Sequence, residues 1–206
     1  MTVDAPPLRR YRGSAPDERR AERRCRLIRA AIEVYGKQGY RRATVKAVCR
    51  AAALTERYFY ESFGNSELLL AACYDAVTRE LFNDISRAGE AAGRSRTARV
   101  RAMLRAYFDT LKREPRSARV FLVEIRGVSP EVDQAFEASL RHFGRALARA
   151  ISPAAGSAAA ASDELLQTGV VGGVIHIAQS WITDGYVPSV EEVTAAALRL
   201  CMVLTR

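Results

Sequence analysis

Arg57 and Glu61 lie one helical turn apart in the stretch TERYFYESF, with Tyr58 and Tyr60 on either side of them. At about 100° per residue, Arg57 and Glu61 project away from Phe59 and Phe63, which are themselves four residues apart and give the segment an inward face. A guanidinium binds guanine O6 and N7 together, and a carboxylate accepts from cytosine N4, so this outward face has the chemistry of a major-groove reader. Before it stands TVKAVCRAAAL, in which Val45, Val48, Cys49 and Ala52 share one apolar face while Lys46 and Arg50 sit a turn apart on another. Thr44 is placed to cap the first piece and Thr55 the second, and Leu54 fills the corner between them. Two short helices about a tight turn, flanked by basic and aromatic side chains, read as a helix-turn-helix.

The charge distribution points the same way. Of the 206 residues, the first 64 carry 15 Lys/Arg against 7 Asp/Glu, whereas residues 65–206 carry 17 against 16. A surplus held at one end implies that the N-terminal third meets a polyanion and the remainder does something else. Arg41, Arg42, Lys46 and Arg50 add to a phosphate-binding term that weakens with salt. An enzyme finds little support: there are two His, no glycine-rich phosphate loop, no GxSxG, and no nucleophile beside an obvious base. Cys25, Cys49, Cys73 and Cys201 are widely spaced and mostly fall on apolar faces, so neither a metal site nor a disulfide framework is expected, and no cofactor is implied. Residues 1–13 lack the apolar centre of a signal peptide, and no apolar run is expected to reach the roughly 20 residues of a membrane span. A cytoplasmic protein that does not enter the membrane is the expectation.

The elements that must position this reader are helical throughout, giving an all-α fold. Residues 1–13 read as a disordered basic arm. A helix opens near Ser14–Asp17 and closes near Gly39, with Leu27, Ile28, Ala31, Val34 and Tyr35 inward and Arg19, Arg20, Arg23, Arg24 and Arg26 on its polar side, either solvated or touching phosphate. Residues 14–64 form the helix-turn-helix domain and residues 65–206 a larger helical domain. The periodicity predicts helices at 65–88, with Leu68, Leu69, Ala72, Cys73, Ala76, Val77 and Leu81 inward, then at 96–113, at 115–127 with Pro115 in the first turn, and at 130–151 behind a Ser129 cap. Ser152–Ala161 is a low-complexity loop, followed by helices at 163–184 and 190–205, the last opened by a Ser189/Glu192 capping box.

Those last two helices form an unusual pair. Leu166, Val170, Val174, Ile177 and Trp181 make a long apolar stripe beside a small-residue stripe of Gly169, Gly173, His176 and Ser180, and Val193, Ala197, Leu200 and Leu204 give the final helix a matching face. Each glycine inside a helix costs about 1 kcal/mol relative to Ala, which suggests that another backbone approaches closely. Half of a four-helix bundle completed by a second chain is one reading, with a homodimer interface of Val170, Gly173, Val174, Ile177, Trp181, Val193, Leu200 and Leu204. Packing of both stripes inside one chain is the other.

The order GKQGY, ATVKAVCRAAAL, TERYFYESF and a Leu-rich following helix closely resembles the TetR family of bacterial transcriptional regulators over residues 20–75, and in architecture beyond. The resemblance implies a three-helix DNA-binding domain followed by a ligand-binding and dimerisation domain. By position it implies that Thr44 and Tyr60 contact phosphates and that Thr55, Glu56, Arg57 and Tyr58 lie at or near the bases of double-stranded DNA, with Lys46 adding to the backbone term. Ser66 stands where many members have a Lys, and Ser62 where many have a His. Glu56 is alternatively a favourable charge in the first turn of its helix. The function implied is a homodimeric repressor released from a palindromic operator by a small-molecule effector of unknown identity. A helical adaptor that does not read DNA is the alternative. Candidate effector-binding residues are Tyr74, Tyr107, Phe108, Phe121, Glu124, Phe136, Phe143 and His176, each also readable as core or interface, and Glu124 as a partner of Arg119 or Arg126.

Overall fold

The computed structural model describes residues 14–151 and 160–202, in which nine α-helices and no strand occur. The expected basic arm at 1–13, the loop residues 152–159 and Leu204 lie outside the described residues. Helix α1 (Ser14–Gln38) buries Leu27, Ala30, Ala31 and Tyr35, with Ile28 and Val34 packed at the margin. Ser14, expected to open this helix as part of a capping box, is itself helical. Gly39, at φ 85, turns the chain into a short 3-10 turn, Tyr40–Arg42. Only glycine adopts that conformation without strain.

Helices α2 (Val45–Ala51) and α3 (Glu56–Ser62) follow, and α1 packs against both. Helix α4 (Ser66–Ala91) is capped by Asn65, whose side chain accepts from Leu68 N at 2.8 Å. It buries Leu69, Leu70, Cys73, Val77, Leu81 and Ile85 against α1 below and α5 (Arg96–Arg113) and α7 (Pro130–Ile151) above. Leu68, expected inward, is 55% exposed, and Leu70 takes the inward position.

The segment expected as one helix over 115–127 is two pieces. Helix α6 (Pro115–Arg119) has Pro115 at its start, and the chain then widens into a π-helical turn, Val120–Glu124. Three bonds anchor that turn to its neighbours. Gln179 Nε2 donates to Leu122 O at 3.0 Å, Arg119 Nε donates to Glu124 Oε1 at 2.8 Å, and Tyr40 N donates to Glu124 Oε2 at 2.7 Å. Wide turns of this kind persist where neighbouring groups hold them. Helix α6 lies close against α1 because Gly36 has no side chain: a Cβ there would be 2.5 Å from Arg116 Cβ and 2.7 Å from its Cα.

Helix α8 (Ala160–Thr183) starts earlier than expected, so Ala160 and Ala161 are helical rather than loop. Helix α9 (Val190–Cys201) opens with the expected capping box. Ser189 N donates to Glu192 Oε2 at 2.7 Å, and the Ser189 hydroxyl donates to the same oxygen at 2.8 Å. Those two bonds hold the Glu192 carboxyl below the usual carboxylate range. The stretch Glu164–Thr183 does meet the length and composition of a membrane span, with a mean hydropathy of 1.2, contrary to the expectation that no run would. Its Val, Ile, Ala and Leu outweigh the interspersed Gln167, Thr168, His176 and Gln179. Only 33% of it is buried inside the chain.

Candidate nucleic-acid interface

The surface is built on two anchors, Phe59 and Phe63, which are 0% and 3% exposed and pin α3 onto α1 and α2. Thr44 caps α2 as expected, its hydroxyl accepting from Ala47 N at 3.1 Å. Thr55 occupies the cap position of α3 but makes no such bond, which leaves its exposed hydroxyl facing outward. Between the helices Ala53 adopts φ 50, a left-handed conformation that costs a non-glycine residue about 1 kcal/mol. Arg26 steadies this turn, its Nη2 donating to Ala52 O at 2.8 Å and Ala53 O at 3.2 Å.

Arg57 and Glu61 face away from the anchors, and Arg57 Nε donates to Glu61 Oε1 at 2.9 Å. The Arg57 side chain is 84% exposed, and the carboxylate beside it holds the guanidinium above its ordinary pKa. Tyr60 is exposed at 60%, its ring edge-on to Phe59. Glu56, Lys46 and Arg50 are also exposed. Tyr58 is half-buried, with the Arg23 guanidinium 4.6 Å above its ring. One ring face is therefore covered from within the protein.

Two exposed arginines of α1 bond within the protein. Arg20 Nη2 donates to Glu61 O at 3.2 Å and Arg24 Nη1 to Ser62 O at 3.1 Å, so both satisfy carbonyls at the C-terminal end of α3, where helix dipole and positive charge attract. Arg24 also lies 4.2 Å over the Phe63 ring. Arg41 reaches Gly127 O at 3.3 Å. Arg20 and Arg24 hold the end of α3 in place, a role that periodicity could not reveal because their acceptors lie 41 and 38 residues away.

Of the candidate effector residues, six come together. Tyr74, Tyr107, Phe108, Phe121, Phe136 and Phe143 are all buried, with Tyr74 stacked on Phe121 at 5.5 Å and Tyr107 6.0 Å from Phe143. Tyr107, Phe121 and Phe143 line a cavity of about 10 Å³. The Tyr107 hydroxyl is buried without a partner, and burial raises its pKa far above the ordinary value. The other two candidates lie elsewhere. Glu124 sits at the junction with α1, paired with Arg119, and His176 is exposed on α8.

The expected dimer residues divide likewise. Val170, Val174, Trp181 and Val193 are buried inside this one chain, Ile177 and Leu200 are half-buried, and Gly173 receives Leu200, whose Cδ2 would lie 2.5 Å from a Cβ there. Gly173 and Leu200 thus join α8 to α9 within the chain, while Trp181 packs edge-on to Phe108 of α5. The open face of α8 is Leu165, Leu166, Gly169, Gly172, His176 and Ser180.

Residues 27–73, which span the end of α1, the reading helices and the start of α4, match the family model for bacterial regulatory proteins of the tetR family. No curated protein sequence matches the chain. Its fold is similar to that of the fatty acid degradation regulator FadR from Bacillus halodurans (TM-score 0.73, 16% identity, 87% of this chain and 94% of that one). It is also similar to FadR from Bacillus subtilis in complex with stearoyl-CoA (0.70, 18%, 86% and 96%). A TetR-like regulator from Rhodococcus sp. RHA1 is comparable (0.70, 18%, 88% and 94%). Residues 27–73 thus match the tetR family model in sequence, and the helical fold over most of the chain is similar to that of TetR-like regulators.

Proposed function

We propose that the protein is a homodimeric, cytoplasmic repressor whose residues 14–64 bind a palindromic operator and whose residues 65–206 bind a small effector and a second copy. The observation that carries this is the exposed Arg57 on a helix seven residues long that Phe59 and Phe63 fix from below and Arg20 and Arg24 fix at its end. Arg57 reads guanine, with Thr55, Glu56 and Tyr58 at or near the bases. Thr44 and Tyr60 contact phosphates, and the exposed Lys46 and Arg50 strengthen that backbone term.

The second copy covers the open face of α8. Leu165 and Leu166 are 78% and 42% exposed, and Gly169 and Gly172 have nothing within 4 Å of a Cβ position, so another helix can approach the backbone closely. An effector entering the aromatic core between α4 and α8 shifts the π-helical turn, and Glu124 passes the shift to the Tyr40 turn and so to α2 and α3. Release follows to the extent that the effector prefers the non-DNA state.

Selection of bound fragments from random duplex DNA, run on the wild type, Arg57→Ala and Tyr58→Ala, tests the reading. A palindromic consensus that relaxes in the variants is the expected result. Weak, salt-sensitive, unselective binding, persisting after ligand is stripped by denaturation and refolding, would instead favour the adaptor.

A further inference from the structure

The cavity is walled by α4, α5, the π-helical turn, α7 and α8, and none of its lining residues is charged. Two lining residues carry hydroxyls, Ser139 and Tyr107. Ser139 is already engaged: its single hydroxyl proton goes to Phe136 O at 2.8 Å, so the Tyr74 hydroxyl bonded to Ser139 Oγ must be the donor in that pair. Among the described residues, Tyr107 is left with a buried donor and no acceptor. Such a group is unfavourable until something meets it.

A cation or an anion in this cavity would lose its hydration without gaining a counter-charge, which excludes charged groups from its interior. We infer, resting on the effector-responsive reading above, that the cavity takes an uncharged, largely apolar ligand bearing one hydrogen-bond acceptor, a ketone or ester carbonyl, which the Tyr107 hydroxyl receives. At about 10 Å³ the cavity holds roughly one water as it stands, so the ligand enlarges it on entering. Phe82 and Leu140 are the lining residues that are not fully buried, and Phe82 lies 4.9 Å from the exposed His142. The route from solvent therefore runs between α4 and α7.

The test uses 2-nonanone, nonanoate and nonylamine as probes, with binding followed by calorimetry and by the fluorescence of Trp181, the single tryptophan. The wild type should bind the ketone in preference to both charged analogues. Tyr107→Phe should weaken ketone binding about tenfold, the effect of one hydrogen bond, and leave the analogues unchanged. The variant should melt no lower than the wild type, since it deletes an unpaired group; a lower melting temperature with unchanged ketone binding would mean that the hydroxyl serves an internal water, and overturns the inference. Tighter binding of nonanoate or nonylamine, or no binding of the ketone, does so equally. Fragment selection on DNA is independent of these probes, so a selected operator without ketone preference sinks this inference alone, and ketone binding without a selected operator sinks the regulator reading alone.

Discussion

Glu124 Oε2 accepts a hydrogen bond from the backbone N–H of Tyr40 at 2.7 Å, across 84 residues of sequence. The carboxylate is 10% exposed and its other oxygen holds Arg119, so it joins the π-helical turn to the turn that enters α2. Glu124→Ala removes a charge-assisted bond and leaves the Tyr40 N–H without its partner. The expected loss is about 2 kcal/mol of unfolding free energy, seen as a lower denaturant midpoint. The variant should still bind operator DNA but respond less to effector, because the mechanical link is cut. An unchanged response would show that coupling runs through α4 instead.

The Arg57–Glu61 pair makes a different kind of prediction. Both partners are exposed, so Glu61→Gln should barely change stability. It should change what is read: Glu61 occupies Arg57 Nε and so leaves the terminal guanidinium nitrogens to face a base. Fragment selection with Glu61→Gln should relax the preference at the guanine opposite Arg57 by about tenfold while sparing positions outside that contact. Uniform weakening at every position would make Glu61 a structural residue.

The helices were legible because their ends carry chemistry that acts locally. Thr44, Ser129 and the Ser189/Glu192 box each stand within four residues of the groups they satisfy, and Pro130, with no N–H to leave unpaired, opens its helix. The inward anchors Phe59 and Phe63 were legible from spacing alone. What stayed hidden is what depends on distant partners. Arg20 and Arg24 look like a solvated stripe until α3 folds back onto α1, and Glu124 looks like a pocket carboxylate until Tyr40 arrives. On α8, apolar and small residues occupy almost every side, so periodicity does not distinguish the face toward α9 from the face left open. Val174 and Gly172 are two residues apart, yet one is fully buried and the other exposed.

The cysteines give a direct check on the packing. Cys25 is exposed, whereas Cys49, Cys73 and Cys201 are buried, and burial pushes all three thiols up, that of Cys201 to about 12. A thiol reagent at neutral pH should modify Cys25 in the native protein and all four after unfolding. These groups, with Tyr74 also pushed up to about 12 by burial, stay neutral in the fold above the pH at which the unfolded chain ionises them. Their stabilisation is therefore whole below about pH 9 and is lost as pH rises toward about 12, so the denaturant midpoint should fall across that window. Rapid labelling of a second thiol in the native state would show that the core is looser than its burial implies.

Gly172 separates the dimer from the fold, because a larger side chain there has opposite effects on the two. Among the described residues of one chain nothing lies within 4 Å of its Cβ position, and a glycine inside a helix is about 1 kcal/mol less favourable than alanine. Gly172→Leu should therefore leave the monomer fold intact, with helical content unchanged. In the proposed dimer the same side chain would push two helix backbones apart at the centre of the interface. The expected outcome is a monomer by sedimentation and a loss of operator affinity of a hundredfold or more, since one half-site must then bind alone. Gly173→Leu acts at the neighbouring position but meets Leu200 of the same chain, and should lower stability instead. If Gly172→Leu stays dimeric, the second copy binds on a different face, and the open glycines of α8 need another explanation.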